Sequence, residues 1–291
     1  MRIITDLETP DRLTLEVHVP DAPLGAILLL YGLGHRGDTD PDPVLTERLC
    51  TSGFLVVSMR LDLDHGLLNA LDEAITALRW LQTSDFVFDR ACLALLGVGL
   101  GGTIAIEVGL KEGLPVAAWS ALIDFKGFMD SSATLGDTDH LRDYDDVSWE
   151  TIIAAGDQVP FLRGVVLSLV VNNLSLLASI SPLGRVTKKS GPMLLFNSVA
   201  EMIPAKGVSL IRERMEECDV QCATHLLEGA RHGSEYMLSA LPATIRFFQK
   251  AWSSERFDVL DAADGTLHRY SSETGTNRAL GLHYGSPDFR V

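Results

Sequence analysis

Side chains able to do covalent or acid–base chemistry are few in this chain, and they are widely spaced. The most telling stretch is a glycine run, Ala94-Leu-Leu-Gly97-Val98-Gly99-Leu100-Gly101-Gly102-Thr103, in which an apolar strand enters a tight turn and leaves as a helix. Strand, glycine turn and helix are the setting of a nucleophile elbow, G-x-S-x-G, where a strained turn holds a side chain at a helix N-terminus. The nucleophile position here is Gly99, so no hydroxyl or thiol stands there to be acylated. No serine lies between Ser84 and Ser120 to replace it by a shift of register. Gly97, Gly99 and Gly102 also fit the dinucleotide fingerprint G-x-G-x-x-G, but the turn follows the fifth strand, not the first, and no acid stands about 20 residues on. No organic cofactor is implied.

His232, flanked by Arg231 and Gly233 after a late strand, is the candidate general base. An imidazole in that role needs a carboxylate to hold its tautomer, and Asp124, directly after the sixth strand, is the expected partner. The competing role for Asp124 is to cap the helix that follows. Tyr31 and His35, at and just past the end of the third strand, are candidate substrate contacts. Asp62, Asp64 and His65 follow the fourth strand; as a metal site they lack a fourth ligand and read as a structural loop, so no metal is expected.

These residues need a scaffold, and the apolar pattern supplies one. Strands are predicted over 2–7, 13–19, 26–31, 54–59, 92–97, 116–122, 193–196 and 223–227, with helices over 41–51, 67–81, 103–111, 205–218 and 239–253. Three strands followed by repeated helix–strand units imply a mostly parallel eight-stranded sheet with helices on both faces. The core is expected over 1–123 and 189–255, an insertion over 124–188 forms a helical cap after the sixth strand, and 256–291 is a polar tail. Residues 124–158 carry nine carboxylates against Lys126 and Arg142, which reads as a solvated acidic face. The most apolar window, 164–180, reads as a buried or groove-lining helix, too short and too interrupted to span a bilayer.

A formal net charge of −15 argues against a phosphate-backbone binder and against an anionic membrane surface. The four cysteines lie in apolar runs without metal-site spacing, as free thiols of a cytoplasmic protein would. The expected partner is a small-molecule substrate, with a homodimer left open.

With the strand-loop Leu28–Gly34, the elbow at 97–101, the loop 196–204 and the His232 segment in view, the chain resembles the α/β-hydrolase superfamily over about residues 10–255. Its cap after strand six makes it look most like the bacterial luminescence acyl-transferase/thioesterase branch. The resemblance implies an oxyanion hole from the backbone N–H groups of Leu33 and Leu100, beside His232 as base. It also exposes departures. The nucleophile is Gly99, and the position of the late-strand acid is Ala200, with Glu201 next to it. A base and an oxyanion hole without a nucleophile suit proton abstraction beside a carbonyl. The leading expectation is therefore a lyase eliminating a carboxylate such as acetate, or a cyclase, acting on acylated or lactone-type natural products. The alternatives are an esterase, thioesterase or acyl transferase using activated water or another nucleophile, and a non-catalytic binding protein.

Overall fold

The computed structural model describes residues 1–291 apart from 33–41, 64, 134–148, 254–257, 261–266 and 270–291. The chain opens with β1 (Arg2–Glu8), β2 (Thr14–Val19) and β3 (Gly25–Tyr31). Then α1 (Pro43–Thr51), β4 (Phe54–Arg60), α2 (Leu67–Thr83), β5 (Leu93–Val98), α3 (Leu100–Glu112) and β6 (Val116–Trp119) alternate. After α4 (Phe125–Ser131), α5 (Trp149–Ala155) and α6 (Gln158–Leu169), alternation resumes with β7 (Met193–Ser198), α7 (Lys206–Glu217), β8 (Cys222–Leu227) and α8 (Met237–Trp252). A short hairpin, β9 (Asp258–Leu260) with β10 (Leu267–Arg269), forms a separate two-stranded sheet.

The main sheet has eight strands in the order β1-β2-β4-β3-β5-β6-β7-β8. β2 is antiparallel to both β1 and β4, and every pair from β4 through to β8 is parallel. Parallel strands covered on both faces lose their polar alternation, and β3 is buried from Gly25 to Leu30. One face packs against α2, α3, α7 and the insertion. The other packs against α1 and α8, where Phe54 meets Phe248 and Trp252 edge-on and those two rings stack on each other. Predicted strand and helix order in the core therefore agrees with the structure, and the differences there fall at element ends.

Two of those differences matter for the site. Helix α3 starts at Leu100, three residues earlier than predicted, because Gly101 and Gly102 are helical residues here. A Cβ on Gly101 would lie 2.2 Å from the Leu30 carbonyl oxygen, and one on Gly97 2.2 Å from that of Gly101. Residues that read as turn formers are thus contact residues that let α3 lie against β3 and β5. Strand β6 stops at Trp119, three residues early, since Ser120 takes a left-handed backbone with φ 53°.

Between β6 and β7 the chain makes the insertion. Ser181 donates to the Ile123 carbonyl, and Arg185 pairs with the buried Glu107 of α3, so the insertion returns onto the core. It also reaches the loop after β4, where a Cβ on Gly66 would meet the Leu169 carbonyl oxygen at 2.9 Å. The apolar window does not form one helix: α6 ends at Leu169, and Val171 and Asn172 both have positive φ. Among the described residues, no helix is long and apolar enough to cross a membrane. All four cysteines are free, with Cys50 and Cys218 buried.

Candidate functional site at the elbow and the histidine loop

Parallel strands deliver their C-terminal ends to one edge of the sheet, and the loops leaving β5, β6, β7 and β8 meet there. Gly99 occupies the turn between β5 and α3 with φ 58° and ψ −126°, and its N–H donates to the Trp119 carbonyl of β6. This backbone strains any residue with a Cβ, and glycine adopts it without that cost. A Cβ built on Gly99 would have His232 Nε2 at 3.7 Å. The imidazole thus faces the position from which an elbow side chain projects.

The other ring nitrogen is held by an acid. His232 Nδ1–H donates to Glu201 Oε2 at 2.6 Å. The Glu201 side chain is fully buried, whereas that of His232 keeps a quarter of its surface exposed. Glu201 Oε1 accepts from the Ser198 N–H at 2.7 Å and from the Ser120 hydroxyl at 3.0 Å. A buried carboxylate is expensive unless its oxygens are hydrogen-bonded, and here donors from three strand ends converge on it.

Ser120 joins the acid to the base. Its oxygen accepts from the Gly233 N–H at 2.8 Å, immediately after His232, and lies 2.7 Å from the Tyr236 hydroxyl. Tyr236 is fully buried, donates to the Phe196 carbonyl at 3.1 Å and stacks obliquely on Trp119. Burial, and next the charge of Glu201, push its phenol above the ordinary range, so it stays a neutral donor. The histidine loop is pinned twice more: Ser198 Oγ donates to the Arg231 carbonyl, and the His232 N–H donates to Glu235 at 2.6 Å.

The expected partner of His232 is corrected by this geometry. Asp124 accepts from the Gly127 N–H at 2.9 Å and caps α4, and the acid on Nδ1 is Glu201. The physical reason is reach. Asp124 is committed to a helix end, while the glutamate one place beyond the usual acid position has the extra methylene that brings its carboxylate to the ring. Ser120, Ser198 and Tyr236 also went unanticipated in the sequence. Only the late-strand position of Glu201 offered a signal for any of them.

Leu100 is the first residue of α3, where a backbone N–H has no acceptor within the helix. The third-strand loop approaches it closely, since a Cβ on Gly32 would lie 3.1 Å from Leu100 Cβ and 3.3 Å from the Gly101 nitrogen. Leu33 and His35 lie outside the described residues. Tyr31 is in register with Val98 at the end of the sheet, and its ring packs with Val98 toward the α1/α8 core. His65 pairs with Asp62 at 3.1 Å, as a local loop contact does, and Asp64 lies outside the described residues.

This topology, with an elbow after β5, an acid after β7 and a histidine after β8, can be set beside known structures. The fold is that of an α/β-hydrolase. No protein-family model and no curated protein sequence matches the chain. Solved structures do. A truncated carbohydrate esterase from gut microbiota superposes with a TM-score of 0.67 at 13% identity, covering 87% of this chain and 97% of that one. An acetyl ester-xyloside bifunctional hydrolase from Caldicellulosiruptor lactoaceticus gives 0.60 at 16%, covering 87% and 94%. A puromycin-hydrolyzing peptidase from Mycobacterium tuberculosis gives 0.63 at 16%, covering 87% of this chain and 39% of its own.

At these identities the likeness is one of fold. These structures belong to proteins that hydrolyse esters or peptides. The lyase or cyclase expectation, together with its natural-product setting, is contradicted by these structures, which are esterases and other hydrolases.

Proposed function

We propose that the protein is an esterase-type hydrolase of small acyl esters in which a water molecule, activated by His232, takes the role of the elbow nucleophile. The observation that carries the reading is the pairing at the two ring nitrogens: Nδ1–H on a buried glutamate, and Nε2 facing the side-chain position of Gly99. With Nδ1 carrying the proton, Nε2 presents its lone pair and can accept a proton from water attacking a carbonyl carbon. The tetrahedral oxyanion is received by the Leu100 N–H at the positive end of α3. The leaving alkoxide then takes the proton back from Nε2. No acyl-enzyme forms.

Esters are favoured over amides because the leaving group departs without strong assistance. Several solved structures of this fold are esterases, which supports an acetyl ester as the first probe. The resemblance to the luminescence acyl-transferase/thioesterase branch points to the same bond class, an activated acyl group. The insertion after β6 is assigned the role of cover over the strand ends.

The test is p-nitrophenyl acetate turnover by the wild type, His232→Ala and Glu201→Gln. General-base assistance is worth about 10²–10⁴-fold, so His232→Ala should fall to near the buffer rate. Glu201→Gln should follow it with an intermediate loss. Turnover that survives in His232→Ala, or wild-type protein no faster than buffer, overturns the proposal.

A further inference from the structure

We infer that Asn197 is a positioning residue of the centre: its side-chain amide closes the loop that carries Glu201 and thereby holds the carboxylate at His232 Nδ1. The effect expected on turnover rests on the hydrolytic reading, and the effect expected on the Glu201–His232 bond does not. Asn197 is the next-to-last residue of β7 and is fully buried. Side chains alternate across a strand, so Asn197 shares with Leu195 the sheet face that packs against α7 and Ile203.

From that face Nδ2 donates to the Ser198 carbonyl at 3.0 Å and to the Ile203 carbonyl at 3.1 Å. Both acceptors are carbonyl oxygens, which fixes the orientation of the amide, since the flipped group would set oxygen against oxygen. A single NH₂ group thus closes residues 198–203 into a ring, with Glu201 inside it. The incoming limb of this loop is tied to the end of β8: the Val199 N–H donates to the Leu227 carbonyl at 2.9 Å and the Ala200 N–H to the Gly229 carbonyl at 3.0 Å. The outgoing limb is held at Ile203 by Asn197.

Closure matters because the Glu201 carboxylate meets the His232 Nδ1–H, the Ser198 N–H and the Ser120 hydroxyl at once, at 2.6, 2.7 and 3.0 Å. A shift of its backbone that suits one of these bonds spoils another, and hydrogen bonds weaken steeply with misalignment. Packing alone gives no reason for an asparagine at residue 197. Its Oδ1 has no hydrogen-bond partner among the described residues, and a buried polar atom left unpaired lowers stability. Leucine would fill a similar volume without that cost. What asparagine adds is the pair of donors at the two ends of the acid loop.

The experiment compares the wild type with Asn197→Leu by two readouts: the downfield proton resonance of His232 Nδ1–H, assigned by its absence from His232→Ala, and p-nitrophenyl acetate kinetics. In Asn197→Leu the resonance should weaken or vanish, and kcat should fall by about tenfold with KM little changed, inside the range that a displacement of about 1 Å can cost. Added to Glu201→Gln, the same substitution should cost nothing further in kcat, because its effect passes through the carboxylate already lost. A folded Asn197→Leu that keeps the resonance and kcat and changes only melting temperature overturns the proposal, and so does a loss that multiplies in the Glu201→Gln background. If Asn197→Leu does not fold, the wild type still decides. Both Asn197 Nδ2 protons should exchange with deuterium as slowly as the β7 backbone amides, and fast exchange at either overturns the proposal. Wild-type protein without His232-dependent turnover, but with a resonance that Asn197→Leu removes, overturns the hydrolytic reading and leaves the positioning role standing.

Discussion

The two halves of the site are built to opposite standards. On the histidine side, Nδ1 of the ring, both carboxylate oxygens of Glu201 and the Ser120 hydroxyl are held by named partners within 3.0 Å, drawn from the ends of β6, β7 and β8. On the elbow side, a turn of the same family geometry presents no side chain at all. Orientation is complete where a base must be aimed, and the reactive group is absent where a covalent bond would form. A base aimed at the side-chain position of a glycine acts on a molecule that comes to it, and this contrast is why the chemistry is assigned to a bound nucleophile.

The sharpest way to break the contrast is to fill the elbow. Gly99→Ser should place a hydroxyl within reach of Nε2 and create a covalent acetyl adduct at residue 99, seen as an acetyl mass gain in the intact protein after reaction with p-nitrophenyl acetate. The left-handed backbone should make that variant less stable by about 1–3 kcal/mol. If no adduct forms in the folded variant, the ring and the turn are not in reactive register, and the reading of the centre fails.

A smaller effect is expected from loosening the ordered half. Ser120→Ala removes one donor from the Glu201 carboxylate and leaves the Gly233 N–H short of an acceptor. Stability should fall by about 2 kcal/mol, the usual scale for buried groups left unpaired. Turnover number should fall with KM little changed, and the downfield proton resonance of His232 Nδ1–H should weaken. A loss of stability alone, with that resonance and the turnover number unmoved, would make Ser120 a packing residue.

The smallest expected effect lies away from the centre, where the insertion is tied to the core. Glu107 is buried and paired with Arg185; burial raises its carboxyl above the ordinary value of 4.5 against the lowering effect of the arginine. A folded-state value raised above the unfolded one means stability present at low pH and lost as pH rises through it. Wild type should therefore lose melting temperature relative to Glu107→Gln as pH rises from about 4.5. A difference that stays flat with pH would show that the pair is fully compensated.

How far the sequence reached differs between these regions. The strand order and the helices around the sheet were legible because β3, β4, β5 and β7 are apolar runs and α2 keeps helical spacing, patterns that local burial imposes. His232 was legible from its glycine-flanked place after a strand. Glu201 was not chosen over Asp124, since both follow strand ends and only side-chain reach separates them. Ser120 read as part of a strand, because nothing local announces a left-handed serine.

The sequence by itself determined that an α/β sheet would carry a glycine elbow and a late histidine, and that no side chain at residue 99 could be acylated. Those are properties of residue type and periodicity. Only the tertiary structure decided which acid meets the histidine, that a serine joins the acid to the base, and that the ring faces the side-chain position of Gly99. Each of these depends on loops from strands distant in sequence meeting at one edge, where differences of an ångström choose the partner.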